Sequence, residues 1–241
     1  MTKDQKGLGK ILKESLSFYG RNILRLIEIP SWVSLPATIL FVLLFFWGLE
    51  ESHIYILMGI FFVVCLLIVL LLLIVSIKTI ETLDKGRPLK TLTVYAETFE
   101  LFFPSVRLWI LLTVKILLWS LLLIIPGFIF MLFYHFSLMA LLVDGKTGKE
   151  ALLTSKQLVQ SNFWKFLRAL VLILILMAPF CVMIYCWAGI VYGIPLLPEN
   201  LFLLIFNACL LNFFTVVINI FPVVFFYFVY KEFGYNPKRS M

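Results

Sequence analysis

Lys115 is the residue most out of place in this chain. It lies in Leu108–Val143, LWILLTVKILLWSLLLIIPGFIFMLFYHFSLMALLV, an apolar run of thirty-six residues whose other nitrogen base is His135. A charge at the centre of a membrane helix costs about 2.5–3.5 kcal/mol on insertion scales, so an intramembrane lysine marks a candidate site. At about 1.5 Å per residue the run would make about 54 Å of helix, against about 30 Å of hydrocarbon. It must double back, and Pro126-Gly127 is where a backbone lacking one donor and free in its dihedrals can do so. That reversal brings Lys115 and His135 to nearly the same depth, roughly 15 Å in, within reach of being neighbours, with the Tyr134 hydroxyl at the same height. Asn212 in the last apolar run reaches a similar level, and Asn219 shares its face one heptad on.

Two readings of these five residues stay open. In one, Lys115, Tyr134, His135, Asn212 and Asn219 form a midplane pocket that binds an anion, a lipid headgroup or a proton. In the other, Lys115 is deprotonated or snorkels toward a water defect. His135 and the asparagines then act as interhelical glue at about 0.6 kcal/mol per contact.

No other chemistry is written in the chain. His53 stands beside Glu50 and Glu51 in a short connection, a pattern that more often forms a solvated cap than a divalent-ion site. HExxH, paired-cysteine, GxxxxGK[ST] and GxSxG arrangements are absent from the sequence, which argues against hydrolysis or phosphoryl transfer. The expectation is no catalytic residue, no metal, no cofactor and no enzyme. Apolar segments without carboxylates also lack the usual proton or cation couplers. Pro36, Pro179 and Pro222 interrupt apolar runs, which a substrate site could use but which membrane helices tolerate anyway. The four cysteines lie inside apolar runs and read as small hydrophobes.

The elements that must carry these residues follow from composition. The 241 residues are 63% hydrophobic and 14% charged, with a mean hydropathy of +1.07, far more apolar than a soluble domain. The expected fold is all-α: one polytopic membrane domain over 1–241, with six spans near Pro30–Leu49, Ile54–Ile77, Val106–Ile125, Gly127–Val143, Phe166–Ala188 and Leu201–Tyr230. The first is expected to remain as an uncleaved anchor, because the residues before it are basic and amphipathic.

Nineteen of the twenty Lys and Arg residues fall before the first span, between spans two and three, between four and five, or after six. The exception is Lys115. By the positive-inside rule both termini are expected in the cytoplasm. The net charge of +7 therefore tracks topology, so anionic lipid is the expected partner and nucleic acid is not.

The cytoplasmic segments carry pattern of their own. Leu8, Ile11, Leu12, Leu16 and Tyr19 share one helical face, and Lys6, Lys10, Lys13, Ser17 and Arg21 the other, as in a helix lying on an anionic leaflet. Comparable segments, Leu92–Phe103 and Ala151–Phe163, precede spans three and five. The chain thus reads as three copies of surface helix, span, turn and span, over 1–77, 78–143 and 144–241. Aligning Asn22, Pro104 and Asn162 brings Arg25, Arg107 and Lys165 into register. Lys10, Lys13, Arg21, Arg25, Arg107, Lys165 and Arg168 are the expected surface cations.

Ile125-Pro126-Gly127 opening a span, the Asp144-Gly145 turn, and Ala151-Leu152, Ser155, Leu158, Asn162 and Trp164 leading into the next span carry a resemblance. In these residues the chain resembles the six-span membrane domain found with some glycerophosphoryl diester phosphodiesterases and its free-standing prokaryotic relatives. The resemblance implies a prokaryotic cytoplasmic-membrane protein associated with lipid. The phosphodiesterase's soluble barrel, with its metal-binding residues, has no counterpart here, so no catalytic residue carries over. Two functions are therefore expected in order: a non-catalytic membrane protein associated with lipid, with copies of itself or with a larger complex, and a transporter or flippase-like protein using the midplane residues.

Overall fold

A computed structural model describes residues 7–46, 51–122, 124–193 and 201–234, with side chains described for 7–39, 63–120, 127–183, 186 and 206–234. All elements in these residues are helical: α1 Leu8–Phe46, α2 Glu51–Asp84, α3 Thr91–Leu122, α4 Ile124–Phe133, α5 Ser137–Leu142, α6 Gly148–Ser161, α7 Phe163–Gly193 and α8 Leu201–Gly234. Four stretches among the described residues are long and apolar enough to cross a membrane: Val63–Asp84, Thr91–Ser120, Phe163–Met183 and Phe206–Gly234. The chain is a multi-pass membrane protein. Part of the first expected span, the cap of Glu50, Glu51 and His53, and the segment 194–200 lie outside the described residues or side chains.

The segments expected to lie on the surface are not separate pieces in two of three cases. α1 runs unbroken for 39 residues through Pro30 and Pro36, and α3 for 32 through Pro104. Only the third is a helix by itself: α6 ends at Ser161 and α7 starts at Phe163, with Asn162 between. The three junctions aligned in sequence differ in what meets the backbone one turn back. Asn22 donates to the Phe18 carbonyl at 2.9 Å, and Asn162 donates to the Leu158 carbonyl at 3.2 Å. At the third, Pro104 has no amide to offer the carbonyl of residue 100. α1 thus continues through its junction, α3 continues through a proline, and only at Asn162 does the helix end.

α1 packs most extensively against α8, and α2 lies against α1, α3 and α8. Buried side chains gather toward one end of the bundle, where the lysines and arginines are: Leu70, Ile74 and Ile80 of α2, Leu152 and Val159 of α6, Phe166 of α7, and Val224 and Phe225 of α8. Toward the other end α3, α7 and α8 present Leu117, Leu118, Ile175, Val182, Phe213 and Phe214 outward. A soluble protein could not leave these exposed, whereas acyl chains solvate them without loss.

The chain doubles back between Ser120 and Gly127, which approach each other closely. α3 ends at Leu122 and α4 begins at Ile124, so Pro126 occupies the first turn of the new helix, where a missing amide donor breaks no hydrogen bond. Trp119 then stacks on Phe130 at 4.6 Å, and Gly127 approaches Ser120 so closely that a Cβ on it would stand 2.1 Å from Oγ and 3.0 Å from Cα. The glycine is needed for contact across the reversal rather than for its own dihedrals. Gly127→Ala should destabilise the protein by about 1–3 kcal/mol, as overpacking does, read as a lower Tm in detergent. Adding Ser120→Gly should restore part of that loss; a Tm unchanged by Gly127→Ala would mean the two helices do not meet there.

Candidate functional site

The centre of the molecule is a helix break. After α4, Tyr134 still donates to the Phe130 carbonyl, but His135 tightens onto Leu132 (3.3 Å) and Ser137 onto Tyr134 (3.0 Å). This short-cut strands the Phe136 amide and the Phe133 carbonyl. Ser155 of α6, fully buried, takes both: the Phe136 N–H donates to its Oγ at 3.0 Å, and its hydroxyl donates to the Phe133 carbonyl at 2.8 Å. One side chain on a neighbouring helix thus replaces the two backbone partners that the break removes. The apolar stretch Gly127–Leu142, expected to be one span, is in consequence two short helices.

The break aims three consecutive side chains in different directions. Tyr134 turns back to α3, where the Lys115 ammonium lies 5.5 Å from its ring centre, within cation–π range; the ring also stacks on Phe130 at 5.9 Å. His135 turns the other way. Although exposed, its ring lies 4.5 Å from Phe226 of α8 and 5.4 Å from Phe166 of α7. Phe136 is fully buried, edge-on to Phe166, Phe226 and Phe233.

The sequence-derived residues therefore separate into groups. Lys115 and Tyr134 come together, while His135, adjacent in sequence, belongs to an aromatic crevice between α7 and α8. Asn212 sits on α8, whose main neighbours are α1, α7 and α2, whereas those of α3 are α2, α4, α5 and α6. Its Nδ2 is buried without a hydrogen-bond partner among the described residues. Asn219 is exposed and donates to the Thr215 carbonyl of its own helix at 2.8 Å.

A second polar assembly closes the basic end. Glu81 accepts from Lys78 at 2.9 Å and from Lys85. Asp84 accepts from the Tyr227 hydroxyl at 3.0 Å and the Lys231 ammonium at 2.7 Å. Asp144 accepts from the Tyr230 hydroxyl at 2.5 Å. Successive turns of α8 thus hold the ends of α2 and of the α5 segment. Gly86 at φ 64° and Gly145 at φ 69° end those helices in the left-handed conformation that glycine favours. After Gly86 the return bonds are Arg87 to Thr82 and Gly86 to Leu83. Sequence reasoning singled out Asp144-Gly145 but missed its kin. An acidic residue followed within two positions by glycine also stands at the end of α2 (Asp84, Gly86) and of α8 (Glu232, Gly234).

The surface cations Lys10, Lys13, Arg21, Arg25, Arg107, Lys165 and Arg168 are all exposed. Among the described residues no group of three or more His, Cys, Asp and Glu side chains could hold a metal ion. No family model, curated protein or solved structure matches this chain.

Ser155→Ala should lower stability by about 1–3 kcal/mol, because it leaves a buried amide and carbonyl unsatisfied. Thr154→Ala on the same helix, which loses a bond from Lys146 nearer solvent, should change it by no more than about 0.5 kcal/mol. Equal Tm shifts for the two variants in detergent would remove the special role of Ser155.

Proposed function

We propose that the chain is a non-catalytic integral membrane protein that associates with lipid, alone or as a subunit of a membrane complex. It crosses a prokaryotic cytoplasmic membrane six times, as three hairpins each led by an amphipathic segment, with both termini cytoplasmic. The observation that carries this reading is the unequal treatment of charge at the basic end. Glu81, Asp84 and Asp144 are matched by lysines and tyrosines, while Lys10, Lys13, Arg21, Arg25, Arg107 and Arg168 are exposed. Cations arranged around the mouths of apolar helices face headgroups, and each near an anionic leaflet contributes about 1 kcal/mol. The resemblance to the phosphodiesterase-associated membrane domain points the same way.

The test is selectivity for anionic lipid. Reconstituted with spin-labelled lipids, the protein should restrict anionic phospholipid in preference to zwitterionic, and the preference should fall as salt shortens the screening length. Changing Lys10, Lys13, Arg21, Arg25, Arg107 and Arg168 together to Gln should weaken it strongly. Absence of selectivity in the parent protein would sink the proposal.

A second reading, transport or lipid flipping past the Lys115 level, is favoured by the aromatic partner of the lysine, the Tyr134 ring. In a background lacking Cys65, Cys181, Cys186 and Cys209, Lys115→Cys should react with a membrane-impermeant thiol reagent if a water path reaches it. Protection from both sides would reject transport through this level.

A further inference from the structure

A groove of about 360 Å³ opens between α1, α2 and the start of α3, walled by Trp32, Val33, Leu71, Leu92, Tyr95 and Phe99. Its lining is mostly apolar, with Thr91, Tyr95 and Thr98 as the polar side chains. Thr98 in its lining donates to the Val94 carbonyl at 2.7 Å, and the Tyr95 hydroxyl donates to the Ile29 carbonyl at 2.6 Å. Those two hydroxyl protons are already engaged, and a water or polar ligand needs several partners. The floor is firm: Ile29, Val75 and Val94 are buried against one another, with Leu89 and Val33 packed on them. The rim is apolar and open, with Trp32 at 67%, Leu92 at 86% and Phe99 at 67% exposure.

Size selects among apolar occupants. A helix with its side chains is about 10–12 Å across, so two turns of a partner helix displace roughly 850 Å³, more than twice the groove. An acyl chain is slender enough. Charge selects the headgroup. Leu89 is pinned to the floor, and Lys90 next to it starts α3, its carbonyl accepting from Thr93 and Val94. Arg87 and Lys90 are both exposed and make no ion pair among the described residues. Glu28 lies near the Tyr95 hydroxyl, one carboxylate against those two cations.

We infer that this groove holds one acyl chain of an anionic phospholipid of the surrounding bilayer, whose headgroup phosphate meets Arg87 and Lys90. The site deepens the lipid-association reading and rests on it, but uses neither the Lys115 level nor the seven surface cations named above.

The experiment uses the full chain in vesicles, with Trp32 kept and Trp47, Trp109, Trp119, Trp164 and Trp187 changed to Phe. Fluorescence quenching is compared between brominated phosphatidylglycerol and brominated phosphatidylcholine at equal mole fraction. The anionic lipid should quench Trp32 more strongly, and R87Q and K90Q should each weaken its relative affinity about fivefold. Equal quenching by the two lipids, or a preference untouched by R87Q/K90Q, would overturn the inference. A companion protein keeping only Trp164, 70% exposed beside Lys165 and Arg168, separates the two claims. Anionic preference at Trp164 but not Trp32 removes the groove alone; preference at neither removes the lipid-association reading with it. Native mass spectrometry of the protein with all its tryptophans tests the site independently. R87Q/K90Q should retain one fewer anionic phospholipid than the parent, and equal retention would count against the site.

Discussion

A helix broken inside an apolar interior leaves amide and carbonyl groups with no water to meet them, and the paired hydrogen bonds of Ser155 are what make such a break tolerable here. Other features of the centre depend on that arrangement. Because α6 must bring Ser155 to the break, Ala151, Leu152 and Val159 on the same face become buried. Because the chain turns at Tyr134–Phe136 instead of continuing as helix, consecutive side chains can point to α3, to the α7–α8 crevice and into the core. An unbroken helix would separate neighbours by about 100° each, and that alone would not send His135 and Tyr134 to opposite partners.

The basic end obeys a related constraint. Helices of 34 residues such as α2 and α8 are about 51 Å long and exceed a hydrocarbon slab of about 30 Å, so part of each extends beyond it or tilts. That surplus is where the buried core and the ion pairs are found. Tyr227, Tyr230 and Lys231 bind the ends of two earlier segments through Asp84 and Asp144. The molecule is therefore knit together at its charged end, while the apolar faces at the opposite end meet lipid. Tyrosine serves repeatedly as the connector, with Tyr19 reaching the Val217 carbonyl and Tyr95 that of Ile29. A phenol suits this position, since its ring is apolar and its hydroxyl supplies one directed donor.

Much of this was legible in the residues. Apolar length and the segregation of lysine and arginine foretold an all-helical membrane protein; the geometry of reversal set Lys115 and His135 side by side with Tyr134 at the same height, whereas the lysine lies over the Tyr134 ring and His135 against Phe226. The junctions at Asn22, Pro104 and Asn162 could be aligned by sequence, though not that only the last would end a helix. Ser155 stood out as part of a motif without a reason attached. The reversal was placed at Pro126-Gly127, yet Pro126 begins a helix and Gly127 is demanded by Ser120. A proline-glycine pair marks where a helix is easily started or stopped, without saying which.

What the sequence determined by itself is therefore what depends on local periodicity and on composition: which stretches are apolar helices, and where the cations gather. What the tertiary structure decided is which polar group answers which. Ser155 lies 19 residues from Phe136, Tyr230 lies 86 from Asp144 and Tyr19 lies 198 from Val217. Pairings at such separations leave no periodic trace along the chain, because they are selected by the packing of helices whose surfaces are almost uniformly apolar.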